Sequence, residues 1–422
     1  MKRFPTLVAL ALAAGLAGCA EDQSAADLRP DLSNNGGIFQ RFVVIGTSIG
    51  AGLQSGGIND STQRRAFPVL VAEQANAPFA YPSLRMPGCP APLASNTTLI
   101  RVSGTTEAGC AFRNGIPPFL GNLSVPGLML PDMFSNTATP LSTYERLQLF
   151  FLGGQVPIRA VMEAQPTLLV VEIGAVDLLG AVANAADPGA IDSITPPATF
   201  DALYERLADS LDRTGAKVVV STVPNVLALP YASPGLIYWC LKNGCGAPIN
   251  IPANPVFQAA TQFTVSPTCA PVGAGGVPNP NGQALVPWTI GLGAALRSTR
   301  PPFPAFTLDC SNTLLVATPA EIAFAQQAHA SYNATIRRIA AARGYAVVDA
   351  DAIFAQLRAG GAVPPFPIVD PVALQTGGSI GFGPYFSLDG FHPSSAAHRI
   401  MADSLISVVN RTYGATLEVV GP

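Results

Sequence analysis

Hydrophobic and polar positions divide this chain into short apolar runs separated by stretches with helical spacing. Residues 41–45 (RFVVI), 167–173 (TLLVVEI), 217–222 (KVVVST) and 345–349 (YAVVD) are each too short for a helix and apolar at consecutive positions. That pattern predicts strands buried on both faces, as in a parallel sheet. Between them the period changes. Residues 199–213 place Phe200, Leu203, Leu207 and Leu211 on one helical face. Residues 318–343 open with TPAE, in which Thr318 is an N-cap, Pro319 sits in the first turn and Glu321 completes a capping box. Residues 394–413 carry Ile400, Met401, Leu405, Ile406 and Val409 on one broad face, and Gly414 stops the helix. Strands alternating with helices predict an α/β fold around a parallel sheet. No internal repeat is seen.

Two stretches break the alternation. Residues 80–140 are rich in Pro and Gly. Residues 226–317 hold only four charged side chains, Lys242, Arg297, Arg300 and Asp309. A structureless loop of that length is improbable in a compact domain, so this block is expected to be an insertion, either a lid or a small subdomain.

The N-terminus has a separate pattern. Lys2 and Arg3 precede an apolar run over residues 7–17, too short to span a bilayer but suited to a signal peptide. It ends in LAGC, residues 16–19, which resembles the lipobox of bacterial lipoproteins, in which the cysteine becomes lipidated after cleavage. The other reading is a plain secretory signal with a chance cysteine. On the lipobox reading residues 1–18 are removed, Cys19 carries the lipid, and Ala20 in the following position implies sorting to the outer membrane. Loss of Lys2 and Arg3 then carries the net charge from −3 to −5. Residues 19–38 read as a flexible tether, 39–415 as the folded domain and 416–422 as a tail.

The other cysteines are Cys89, Cys110, Cys240, Cys245, Cys269 and Cys310. An even number in an exported chain predicts disulfides. Proximity along the chain favours 89–110, 240–245 and 269–310 among the 15 possible pairings. A zinc site would need paired CxxC spacing or nearby histidines, and the sequence has neither. Composition narrows the classes further. Charged residues make up 12% and the net charge is −3, with no basic block to neutralise phosphates, so a nucleic-acid partner is not expected. Outside the N-terminus no apolar run is long enough for a membrane span.

Candidate chemistry is limited by three histidines, His329, His392 and His398. His329 and His398 fall within predicted helices, where packing is their ordinary role. His392 lies in the polar turn SLDGFHPSS, three residues after Asp389. A carboxylate at that spacing can fold back and accept a hydrogen bond from one imidazole nitrogen, leaving the other free as a general base. The competing reading is a plain turn into a helix with Asp and Ser as caps. The candidate nucleophile is Ser48 in VVIGTSIGAG, just after the first strand, where Gly46, Gly50 and Gly52 allow a sharp turn. GTSIG also matches the nucleophile elbow of α/β-hydrolases, but there several strands precede the serine, and acid and histidine sit on separate loops.

The order Ser48, then Asp389 and His392 in one turn near the far end, resembles the SGNH (GDSL) hydrolase family, in its lipase-like bacterial lipoprotein branch. The resemblance spans most of residues 40–415. It implies a flavodoxin-like three-layer sandwich with a parallel central sheet. Gly46-Thr47-Ser48 stands in the place of GDS, so Ser48 is implied as nucleophile. NLSVPG gives Gly127 as a backbone oxyanion donor beside Ser48. Gly174-Ala175-Val176-Asp177 aligns with GxND. Asp389-Gly390-Phe391-His392-Pro393 matches DxxHP. The chain departs from the pattern twice: Thr47 replaces the Asp beside the nucleophile, and Val176 replaces the Asn whose amide donates to the oxyanion. Asn225 is a candidate stand-in. The implied activity is ester hydrolysis through an acyl-enzyme, with no metal or cofactor, by a monomer acting on a small-molecule or lipid ester. The nearly uncharged insertion and residues 80–140 are expected either to wall an acyl pocket or to pack against the core. A carbohydrate O-deacetylase and an impaired binding module on the cell envelope are the alternatives.

Overall fold

Four runs of Val, Leu, Ile and Ala pair side by side in parallel: β1 Phe42–Gly46, β2 Leu168–Glu172, β3 Lys217–Ser221 and β8 Ala346–Val348. This is a computed structural model, and it describes residues 37–421 except 112–113, 116–118, 136–142, 185 and 371–377. The signal peptide, Cys19 and most of the expected tether lie outside the described residues. Among the described residues no helix is long and apolar enough to cross a membrane.

The register explains why these strands lack polar alternation. Val44, Val170, Val219 and Ala346 form one row across the sheet, and Ile45, Val171, Val220 and Val347 form the next. Successive rows face opposite sides, and both sides are covered. The first row packs with the helices Phe67–Gln74 and Ser395–Tyr413. The second packs with Pro157–Ala164, Val176–Ala183, Pro197–Asp212 and Pro319–Arg343. A fifth parallel line, residues 121–125, lies outside β1: the Val44 N–H donates to Gly121 O, the Leu123 N–H to Val44 O and the Val125 N–H to Gly46 O, at 2.8, 2.8 and 3.0 Å. Counting it, the spatial order is second, first, third, fourth, fifth in chain order. This is the doubly wound, flavodoxin-like arrangement, whose ligands sit beyond the carboxyl ends of the strands.

The capping signals appear at the residues that carry them. Thr318 and Glu321 form the reciprocal capping box; Ser394 caps the closing helix and Gly414 ends it in the left-handed conformation. Residues 416–421 do not trail away as a tail. They fold back on that helix, where Asn410 exchanges two hydrogen bonds with the Leu417 backbone and Asp403 accepts from the Val420 N–H.

Residues 226–317 contain the antiparallel pair β4 Ala232–Pro234 and β6 Leu285–Pro287, and the parallel pair β5 Phe263–Val265 and β7 Phe306–Leu308. Cys240 is bonded to Cys245 and Cys269 to Cys310; Cys89 is bonded to Cys110 outside the block. The block has no core of its own, because Tyr238, Phe257, Phe263 and Trp288 join the same buried cluster as the sheet face.

Phe200 ties the second helical layer together. It is buried and stacks face to face on Tyr332, with ring centroids 3.7 Å apart, and lies 5.6 Å from Tyr204. Replacing Phe200 with Ala is expected to destabilise the protein by about 3–5 kcal/mol through loss of burial and an unfilled cavity. Urea denaturation of the variant measures this, and a change below about 1 kcal/mol would show that the layer closes around the gap.

Candidate active site

The carboxyl end of β1 delivers Ser48 to the first position of a short helix, Ser48–Ala51. Three glycines shape this turn for different reasons. Gly52 ends the helix at φ 87°, where a side chain is strained. Gly46 and Gly50 are demanded by neighbours: a Cβ on Gly46 would stand 2.8 Å from Glu172 Oε2, and one on Gly50 would stand 2.4 Å from Ser124 Oγ. The nucleophile turn is thus pressed between β2 and the edge segment.

The turn between residues 385 and 394 brings the other two groups. Ser48 Oγ lies 2.9 Å from His392 Nε2, and His392 Nδ1 lies 2.8 Å from Asp389 Oδ2. All three are buried. Asp389 Oδ1 accepts from the backbone N–H groups of Phe391 and His392 at 3.0 and 2.8 Å and from Ser387 Oγ at 3.2 Å, while Oδ2 also accepts from the Gly56 N–H at 2.6 Å. Burial acts to raise the Asp389 carboxyl, but the adjacent imidazole and these donors outweigh it and hold the group below the ordinary carboxylate value. An anionic Asp389 fixes the proton of a neutral His392 on Nδ1, leaving Nε2 to accept from the Ser48 hydroxyl.

Segments distant in sequence brace the turn. The Ser55 N–H donates to Ser387 Oγ and the Leu388 N–H to Ser55 Oγ. Asn96 donates to the carbonyls of Ile380 and Leu388 and accepts from the Ile380 N–H. From the insertion, Trp288 Nε1 donates to Asp389 O at 3.2 Å, and Tyr231 meets Phe391 edge to face at 5.4 Å. The sequence singles out none of Ser55, Gly56, Asn96 or Trp288. SGG after the nucleophile helix is the one local signal, because Gly56 takes φ 61° where its N–H reaches Asp389.

Glu172 carries no local signal either, since its strand reads as uniformly apolar. It ends β2 beneath the nucleophile turn. Its carboxyl accepts from the Thr47 N–H at 3.0 Å and from Thr47 Oγ1 at 3.0 and 3.1 Å. The threonine at the unusual position beside Ser48 is therefore the partner of a buried acid. Burial pushes the Glu172 carboxyl up to about 7, partly opposed by hydrogen bonds from Thr47 and the Gly50 backbone.

The remaining candidates are each held in local structure of their own. Gly127 takes φ 82° in an exposed turn after the edge segment. Asp177 is buried and accepts from the Leu130 N–H and from Thr195 Oγ1, at 2.6 Å for the latter. It ties the loop after Gly127 to the GAVD segment, and burial lifts it to about 6. Val176 opens the helix Val176–Ala183. The Asn225 side-chain oxygen caps the short turn Val226–Ala228 through the Leu227 N–H. His329 Nε2 lies 2.9 Å from Val223 O and 3.3 Å from Asp351 Oδ1. His398 is buried, accepts from the Phe67 N–H at 3.3 Å and is driven down to about 3 by burial and by His392, so it stays neutral as a packing group.

Glu172 makes a stability prediction. Its ordinary value is 4.5. From there to about 7 the folded chain keeps a proton that the unfolded chain has released, so this group lowers stability as pH rises through that window. The total is on the order of 3 kcal/mol. His398 acts oppositely, since its contribution is present above 6.5 and is lost as pH falls toward about 3. Comparing Glu172→Gln with the parent cancels His398. The Tm difference, variant minus parent, is expected to grow between pH 5 and 8; a constant difference would place the titration on another group.

No protein-family model matches the chain, and no curated protein matches its sequence. Among solved structures it is similar to a mutant of Axe2, an acetyl-xylooligosaccharide esterase from Geobacillus Stearmophilus, with 11% identity, TM-score 0.35 and coverage of 87% of this chain and 93% of that one. It is also similar to TesA (13% identity, TM-score 0.33, 88% and 98% coverage) and to the acetyl xylan esterase AlAXEase (13%, 0.34, 87% and 98%). Likeness at this level leaves the site to be read from its own geometry.

Proposed function

We propose that the chain is a serine ester hydrolase of the SGNH type. The observation that carries this reading is the continuous line Asp389–His392–Ser48, with contacts of 2.8 and 2.9 Å. A neutral imidazole held by a buried carboxylate and touching a serine hydroxyl is arranged to remove that hydroxyl's proton.

Ser48 Oγ attacks the ester carbonyl carbon as His392 Nε2 takes its proton. The backbone N–H groups of Ser48 and Gly127 stabilise the oxyanion. Collapse breaks the bond to the leaving alkoxide, which receives the proton from His392. Water then attacks the acyl-enzyme, His392 accepts a proton from it, and release of the acid restores Ser48. Asp389 stabilises the imidazolium in both halves and remains ionised. We also propose that residues 1–18 direct export and that Cys19 carries a lipid anchor at the outer membrane.

Val176 favours a second reading, an envelope module that binds an ester without cutting it, because valine offers no donor to an oxyanion. A fluorophosphonate probe separates the two: the hydrolase labels at Ser48 and the binding module does not. Esterase activity of the purified domain on p-nitrophenyl esters is expected to fall at least about 10,000-fold in Ser48→Ala. Unchanged turnover in that variant would remove the mechanism.

Val176→Asn is expected to raise kcat by about tenfold or more, since one oxyanion donor is worth roughly 100- to 1000-fold. A fall in kcat would instead show that the site is built around the valine with another donor.

A further inference from the structure

A polar group outside the catalytic line is buried directly beneath it. β1 and β2 end in register, with Gly46 beside Glu172, so the Glu172 side chain leaves the sheet at the level of the turn that follows β1. Its carboxyl meets three donors there. Thr47 gives its N–H at 3.0 Å and its hydroxyl at 3.0 and 3.1 Å, and the Gly50 backbone N–H is the third. Thr47 precedes Ser48, and Gly50 follows it by two residues. Asn122, on the edge segment, holds the carbonyl of the same glycine, its Nδ2 donating to Gly50 O at 2.8 Å. We propose that Glu172 is a positioning residue for hydrolysis, gripping the nucleophile turn on both sides of Ser48 and so setting where the Ser48 hydroxyl and N–H point; this rests on the ester-hydrolase reading above.

Three observations carry the inference. The first is cost. Position 172 faces the same side of the sheet as Leu168 and Val170, which are buried in the core there. A leucine would continue that face and gain from burial, whereas a buried carboxyl costs free energy unless donors meet it. The acid is matched to the N–H and O–H groups above it, and these would be left unsatisfied over an apolar side chain. The second is direction. Thr47 stands at the N-cap of Ser48–Ala51 with extended backbone, yet its side chain makes no capping bond. Its hydroxyl turns to Glu172 instead, so this helix of four residues takes its hold from the neighbouring strand.

The third is room. A Cβ on Gly46 would stand 2.8 Å from Glu172 Oε2, so the carboxyl is packed against the turn. Ser48 Oγ must meanwhile stay within reach of His392 Nε2, at 2.9 Å, and the Ser48 N–H is a proposed oxyanion donor. Misplacing reacting atoms by about 1 Å can cost on the order of 100-fold in rate, which makes a fixed turn a condition of turnover.

The test compares kcat and KM on a p-nitrophenyl ester, with Tm as the check on folding. Glu172→Met keeps the length of the side chain without its oxygens and is expected to lower kcat by about 100-fold while KM moves by less than about threefold. Glu172→Gln still offers one oxygen to the N–H groups, and its amide can donate to the Thr47 hydroxyl, so it is expected to recover kcat to within about tenfold of the parent. Should Glu172→Met fail to fold, Thr47→Val and Thr47→Ser decide: loss of the hydroxyl is expected to lower kcat by about tenfold, and its return as serine to restore most of the rate. Turnover by the parent with kcat unchanged in Glu172→Met, or in Thr47→Val where that variant decides, makes Glu172 a packing group and leaves ester hydrolysis standing. A rise in KM in place of the fall in kcat, or a Gln variant as slow as the Met one, overturns the assignment equally. No turnover by the parent removes the ester-hydrolase reading and this assignment with it.

Discussion

The arrangement depends on a buried negative charge. Asp389 sits in the interior, where an unpaired carboxylate would take up a proton rather than remain ionised. It stays anionic because donors converge on it from the Gly56, Phe391 and His392 backbones, from Ser387 and from the imidazole. Four of these come from its own turn through local geometry. The Gly56 N–H comes from 333 residues away, and it binds the loop after β1 to the turn before the closing helix. Further contacts reach the turn from Ser55, Asn96, Trp288 and Tyr231.

A second acid beneath the nucleophile sets the shape of the serine turn. Glu172 and Ser124 stand where Cβ atoms of Gly46 and Gly50 would be, so those glycines are fixed by the close approach of three parallel chain segments. Thr47 belongs to the same unit, since its hydroxyl and N–H both reach Glu172. Thr47 is therefore fixed by a local pairing with a buried acid.

What the sequence made legible follows from the range of the interactions involved. Continuous apolar runs declared a parallel sheet because both faces of each strand are buried, and the caps at Thr318, Ser394 and Gly414 act within one helical turn. Ser48, Asp389 and His392 were readable because two lie in one turn and the third follows a glycine-shaped strand end. Gly56, Asn96 and Trp288 were not, because each acts through a backbone or side-chain amide on a segment remote in sequence, and such donors leave no local pattern. Glu172 was masked by its apolar neighbours. For residues 226–317 the low charge is compatible with either a pocket wall or packing against the core, and Tyr238, Phe257 and Trp288 are buried in the same cluster as the sheet face.

The order of the central sheet places Ser48 just after the first strand made and His392 on a turn made almost last, 344 residues later. A ribosome-bound or truncated chain lacking residues beyond 390 thus has its serine without a proton acceptor. Assembly of the site coincides with docking of the closing helix onto Val44, Val170 and Val219. The pairing of Ser48 with His392 is in this sense a report on completed synthesis: a chain that has not yet folded its last turn holds the hydroxyl without the imidazole.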